Sequence, residues 1–170
     1  MKNLFLLAAL SVAIFSCSGN KKQLNASNEV PVFELDNLLA VADQKLEDTL
    51  TVVGYVTHTC KHSGRRCLII GESQKATMRV EATGEIRGFD SDLVGSKLAI
   101  TGVLQERRLG EEFISEMEKS VHQRMAEDGS AETCAAELSN INDMRQWMKD
   151  NNKDYYVIYY MDGLSFVVLK

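Results

Sequence analysis

The chain has 170 residues, 45% of them hydrophobic, and a formal net charge of −5, which argues against bulk attraction to nucleic acid or anionic lipid. Two of the three histidines and two of the four cysteines fall within ten positions, His58 to Cys67.

Lys2 precedes an apolar run, Leu4 to Phe15, that is too short for a membrane span and suits the core of a secretory leader. The stretch that follows, Ile14-Phe15-Ser16-Cys17, resembles a bacterial lipobox. That resemblance implies removal of residues 1–16 as a lipoprotein signal peptide and acylation of Cys17 with palmitate-type chains. At about 0.8 kcal/mol per buried CH₂, two such chains anchor a protein stably. A leader that is cleaved without acylation is the alternative. Removing residues 1–16 takes Lys2 and no acid, leaving 18 of the 19 basic residues against 24 acids and a charge of −6.

Residues 17–32 include the polar stretch Ser18 to Val30, short of aromatics, and read as a flexible linker from the lipidated Cys17. No Asp follows Cys17, and the implied address is the outer membrane facing the periplasm. No later run approaches the length of an apolar span. About 140 residues remain, enough for one compact domain or a small barrel with an appendage.

Within residues 33–118, Leu35, Leu38, Leu39 and Ala42 fall at helical spacing and predict a short leading helix over Phe33 to Leu46. The period then changes to two. Asp48–Thr59, Cys67–Glu72, Ala76–Ala82, Ser96–Glu106 and Glu112–Glu118 predict five short strands, with Gly84 to Gly95 a turn or one short helix. Five strands interrupted between the third and fourth predict an OB-fold barrel, with Gly54 and Gly102 where the first and fourth strands must bend. The stretches Thr51–Gly71 and Gly95–Phe113 resemble small bacterial lipoproteins with an OB-fold of the nucleic-acid-binding type. The resemblance covers residues 48 to 118 and implies a fold; the nucleic-acid label rests on fold analogy.

Leading into and through residues 119–170, Met117, Val121 and Met125 make one helical stripe, and Leu138, Ile141, Met144 and Met148 make a second after an N-cap at Ser130. Asp162-Gly163 predicts a two-residue turn in a C-terminal β-hairpin. The expected fold class is mainly β with an α+β appendage: a five-stranded OB-fold barrel followed by two helices and a C-terminal β-hairpin.

His58, Cys60 and His62 alternate along a predicted strand, and a hairpin tip at Gly64-Arg65 sets His62 opposite Cys67. Two imidazoles and two thiols on one face are a donor set for zinc or another soft transition metal. A flat strand spreads His58 and His62 by about 13 Å, so His122 and Cys134 are candidate substitutes that would tie the appendage to the barrel. A Cys60–Cys67 disulfide, or reduced buried cysteines with surface histidines, explain the same pattern.

Lys61, Arg65, Arg66, Arg107 and Arg108 lie in the two loops that flank an OB groove and are candidates for binding an anionic oligomer, nucleic acid or saccharide, or a protein partner. Nucleic acid draws weak support, because the second and third strands carry no aromatic platform. Tyr155, Tyr156, Tyr159 and Tyr160 are expected to pack with rings inward and hydroxyls at the rim. The expected function is therefore a non-enzymatic, membrane-anchored binding module with a Cys/His metal site, or alternatively with a basic groove.

Overall fold

The structure, a computed structural model, describes residues 29–128 and 131–170. Cys17, the leader, the start of the linker and Ser130 lie outside the described residues. The chain runs β1 (Val32–Glu34), α1 (Leu35–Ala40), a 3-10 turn at Ala42–Gln44, β2 (Thr49–Thr59), β3 (Arg66–Ile70), β4 (Thr77–Ala82), a 3-10 turn at Ser91–Leu93, β5 (Lys97–Gly110), α2 (Glu111–Asp128), α3 (Ala131–Asp150) and β6 (Tyr155–Leu169).

Alternation drives the barrel. In β4, Met78, Val80 and Ala82 are buried while Thr77, Arg79 and Glu81 face outward. The sheet order is β1-β2-β3-β4-β6-β5, and β2 also pairs with β5, so five strands close on themselves with β1 added outside in parallel to β2. Only β4 and β6 pair in parallel within the closed ring. This is the strand order of an OB-like barrel. Leu50, Val52, Ile69, Leu98, Ile100 and Leu104 fill its interior with at most 0% exposure, each burial contributing about 1.5–3 kcal/mol. Leu35, Leu38 and Ala42 join that core, as their helical spacing predicts, although Phe33 belongs to β1 rather than to the helix.

Two elements differ from the sequence reading. Glu112–Glu118 is not the fifth strand but the start of α2, because Ile114 and Val121 both bury on one helical face against Leu109 and Ile141. The fifth strand is β6, which pairs with β5 from Lys97↔Leu169 to Gly110↔Tyr155. The C-terminal segment is accordingly one strand and not a hairpin. Gly163 serves close packing there: a Cβ on it would lie 2.8 Å from Val80 Cγ1 and 3.1 Å from Ile86 Cδ1. Gly102 sits at the register shift of β5 and Gly54 where β2 passes from β5 to β3, so both bend as expected.

The helices α2 and α3 are therefore inserted between the fourth and fifth barrel strands. Their apolar stripes meet in a second core with Cys134, Val121, Ile141 and Met148 buried, and Tyr156 and Ile158 of β6 fasten it to the barrel. Arg145 of α3 adds ion pairs to Glu111 at 2.7 Å and Glu118 at 2.8 Å.

Candidate ligand-binding face and thiol cleft

The first hairpin is built differently from its sequence pattern. The register of β2 and β3 shifts between Val56 and His58, so Thr57 is an extra residue and the alternation slips by one. His58 faces outward opposite Leu68, and Thr59 turns inward opposite Cys67. Cys60 and His62 are in the connecting loop, not on the strand. That loop is longer than a two-residue tip because Gly64, at φ +62°, donates its N–H to Cys60 O at 2.7 Å and accepts one from Phe89 at 2.7 Å.

The predicted ligand set is thus dispersed. Cys67 is in the barrel interior, where burial pushes its thiol up to about 12, and Cys134 is in the helical core. His58, His62 and His122 are exposed, His122 on α2 beside the buried Val121. Cys60, Cys67 and Cys134 form no disulfide, with Cys67 facing in and Cys60 at the rim. Among the described residues, no group of three or more His, Cys, Asp and Glu side chains gathers to hold a metal ion.

The basic residues separate as well. Arg65 donates to Ala82 O at 3.2 Å, while Lys61 is exposed in the loop. Arg107 stacks over Phe113 at 5.2 Å, and Arg108 stacks over Tyr155 at 4.5 Å while pairing with Glu106. In the β5–β6 ladder Arg107 is level with Ile158, whereas Arg66 is level with Glu81 and Asp162. Four residues of β6 separate those levels, roughly 13 Å along the strands. The five cations do not form one patch.

A different set converges on the outer face of β3 and β4. His58, Leu68, Arg79, Tyr160 and Gln105 form one cross-strand row, and Leu68 is 40% exposed within it. Arg66 Nε donates to Glu81 Oε2 at 3.0 Å, and Arg79 Nε lies 3.0 Å from Glu81 Oε1. Two guanidinium groups thus share one carboxylate. Arg79 also stacks over the Tyr160 ring at 5.1 Å, and its buried Nε lacks the alignment of a hydrogen bond to any partner. Alternation in β4 sets Arg79 on the face opposite Met78 and Val80, and its pairing with Tyr160 comes from the parallel β4–β6 contact, which a C-terminal hairpin does not predict.

No family model matches the chain, and no curated protein is significantly similar to it in sequence. Among solved structures, a chain assigned as an aspartyl-tRNA synthetase from Leishmania major Friedlin is similar at 6% identity with a TM-score of 0.41, covering 86% of this chain and 22% of that one. A likeness at that level carries no argument about activity.

Between the first hairpin and the segment Phe89–Ser91 is a cleft of about 410 Å³ lined by Thr59, Cys60, Lys61, Phe89, Asp90 and Ser91. The Ser63 hydroxyl donates to Cys60 Sγ at 3.4 Å. That hydroxyl, then the backbone N–H groups of Ser63 and His62 and the charge of Arg66, hold the Cys60 thiol below its ordinary value. Thr59 is 5% exposed and turns into the barrel opposite Cys67.

Proposed function

We propose that this protein is a bacterial lipoprotein, anchored through Cys17 to the outer membrane and facing the periplasm, whose OB-like barrel is a non-enzymatic binding module for an extended anionic oligomer. The tether is supported by the leader and the lipobox-like Ile14–Cys17 stretch. Among the described residues no helix is long and apolar enough to cross a membrane.

The observation that carries the binding reading is the pair Arg66 and Arg79 gathered on Glu81 beside Leu68 and Tyr160. Arg66 and Arg79 are balanced in charge by Glu81 and by Asp162, which follows Glu81 in the same cross-strand row, so what the face offers an anion is guanidinium hydrogen-bond donors. An anionic oxygen arriving there can accept from the exposed parts of the Arg66 and Arg79 side chains, and Leu68 and Tyr160 offer apolar and aromatic contact alongside. The metal reading of the first hairpin draws less support, since capture would require Cys67 to leave the barrel interior and ionise against its raised pKa.

Amide shift mapping tests the assignment, with a short oligothymidylate and a short oligouronate as ligands. Shifts confined to residues 66–70, 77–81 and 158–162 support the face; shifts confined to the helices, or none with either ligand, count against it.

A further inference from the structure

We propose that the groove between α2 and α3 docks a basic amphipathic helix of a protein partner. The groove shares no residue with the outer face of β3 and β4, so either reading can fail without the other.

Helical spacing builds the groove. Phe113, Met117 and Val121 recur every fourth residue on α2, and Ile141 and Met144 line it from α3, around an open volume of about 440 Å³. Val121 and Ile141, each 2% exposed, are its floor in the second core, while Phe113 is 45% exposed. The lining on α2 runs from Phe113 to Arg124, roughly 16 Å at the α-helical rise, or three turns. A third helix laid along that seam meets two helices at once, as in a bundle, and the flexible methionines adapt to the apolar side chains it brings.

Charge selects the partner. Residues 111–150 carry ten acids against four bases, a charge of −6, whereas the other residues from position 17 onward carry 14 of each. The net charge beyond the leader is thus that of the helical insert. Along the groove, helical spacing sets Glu112, Glu116 and Glu127 on α2 and Glu137 and Asp143 on α3. Against these five acids stand three cations: Lys119 pairs with Glu116 at 2.7 Å, Arg124 pairs with Glu137, and Arg107 stacks over Phe113 at 5.2 Å. The edges stay negative, with Glu112, Glu127 and Asp143 exposed. A basic helix supplies the complementary charge and an acidic one is repelled.

The test uses the full chain and two short fluorescein-labelled helical peptides that share one leucine face, one with lysines and one with glutamates on the polar face, read by anisotropy. The lysine peptide should bind roughly tenfold or more tightly than the glutamate peptide, and its amide shifts should fall on residues 113–124 and 137–144. Glu112→Gln/Glu127→Gln/Asp143→Asn should remove most of that preference. Ser120→Trp, at an exposed position lining the groove, should fill it and weaken the lysine peptide roughly tenfold. No binding, equal affinity for the two peptides, a preference untouched by the triple variant, binding undiminished by Ser120→Trp, or shifts confined to the barrel would each overturn the proposal. An affinity that rises in Lys21→Glu/Lys22→Glu would make the chain's own linker the occupant and overturn it as well.

Discussion

Thr59 and Cys67 face each other across β2 and β3 with both side chains turned into the barrel. This one register decides the chemistry of the first hairpin, because it sends His58 outward and leaves Cys60 at the rim. The three described cysteines therefore differ in access. In a chain beginning at Ser18, iodoacetamide should alkylate Cys60 roughly a hundredfold or more faster than Cys67 or Cys134, which become reactive on unfolding. Comparable rates at Cys60 and Cys67 in the native chain, read by peptide mapping, would contradict the register.

Burial of Cys67 also makes stability depend on alkaline pH. Its folded pKa is raised from 9.0 to about 12, so its contribution is fully present below the unfolded value and is lost as pH rises toward the folded one. Urea midpoints should fall between roughly pH 9 and 12, and the fall should flatten in Cys67→Ala, which itself costs about 1–2 kcal/mol at neutral pH through the space it leaves. An unchanged alkaline slope in the variant would exclude Cys67 as its source.

At the acid end the sign reverses. Asp43 accepts a hydrogen bond from the Tyr159 hydroxyl and pairs with Lys153 at 3.1 Å, which holds its carboxylate below the ordinary 3.8. Its stabilisation is present above that ordinary value and lost as pH falls through the depressed one. Because the pair is largely exposed, Asp43→Asn should cost under about 1 kcal/mol at neutral pH and should reduce the acid slope of the thermal midpoint. A variant as acid-sensitive as the parent would remove Asp43 from the account.

Gly102 and Gly163 pair across β5 and β6 at the bulge where the barrel bends. A Cβ on Gly102 would lie 2.4 Å from Asp162 O and 2.7 Å from Met161 Cγ. Gly102→Ala should cost about 2–4 kcal/mol. Gly110→Ala, with nothing within 4 Å of its Cβ, should stay within about 0.5 kcal/mol and serves as the control. Chemical denaturation of both variants reads the difference, and equal losses would contradict the packing role.

Most of the barrel was legible because period two survives in β2 to β5, and Gly54 and Gly102 marked its bends. The fifth strand was not. Phe113, Ser115 and Met117 alternate over too few residues to separate a strand from a helix, and only the burial of Ile114 and Val121 on one face resolves it. Asp162-Gly163 carries the sequence of a tight turn, yet crowding by Val80 and Ile86 gives Gly163 a different physical reason. At the site, a single inserted residue at Thr57 reversed the faces assigned by alternation, as any one-residue slip does. The helical stripes followed from 3.6-residue spacing and needed no long-range information, whereas Cys134, a candidate metal ligand by sequence, is buried in the helical core one turn before Leu138.

The central claim is that Arg66 and Arg79 receive an anionic oligomer on the outer face of β3 and β4. Its most direct test is the salt dependence of oligothymidylate binding by fluorescence anisotropy, for the parent chain and for Arg66→Ala/Arg79→Ala. The account predicts that log K falls with log salt at a slope of about −1.4 for two phosphates, and that the double variant loses roughly tenfold or more in affinity with most of that slope. No binding at low salt, or binding whose affinity and slope are the same in the double variant, would contradict it.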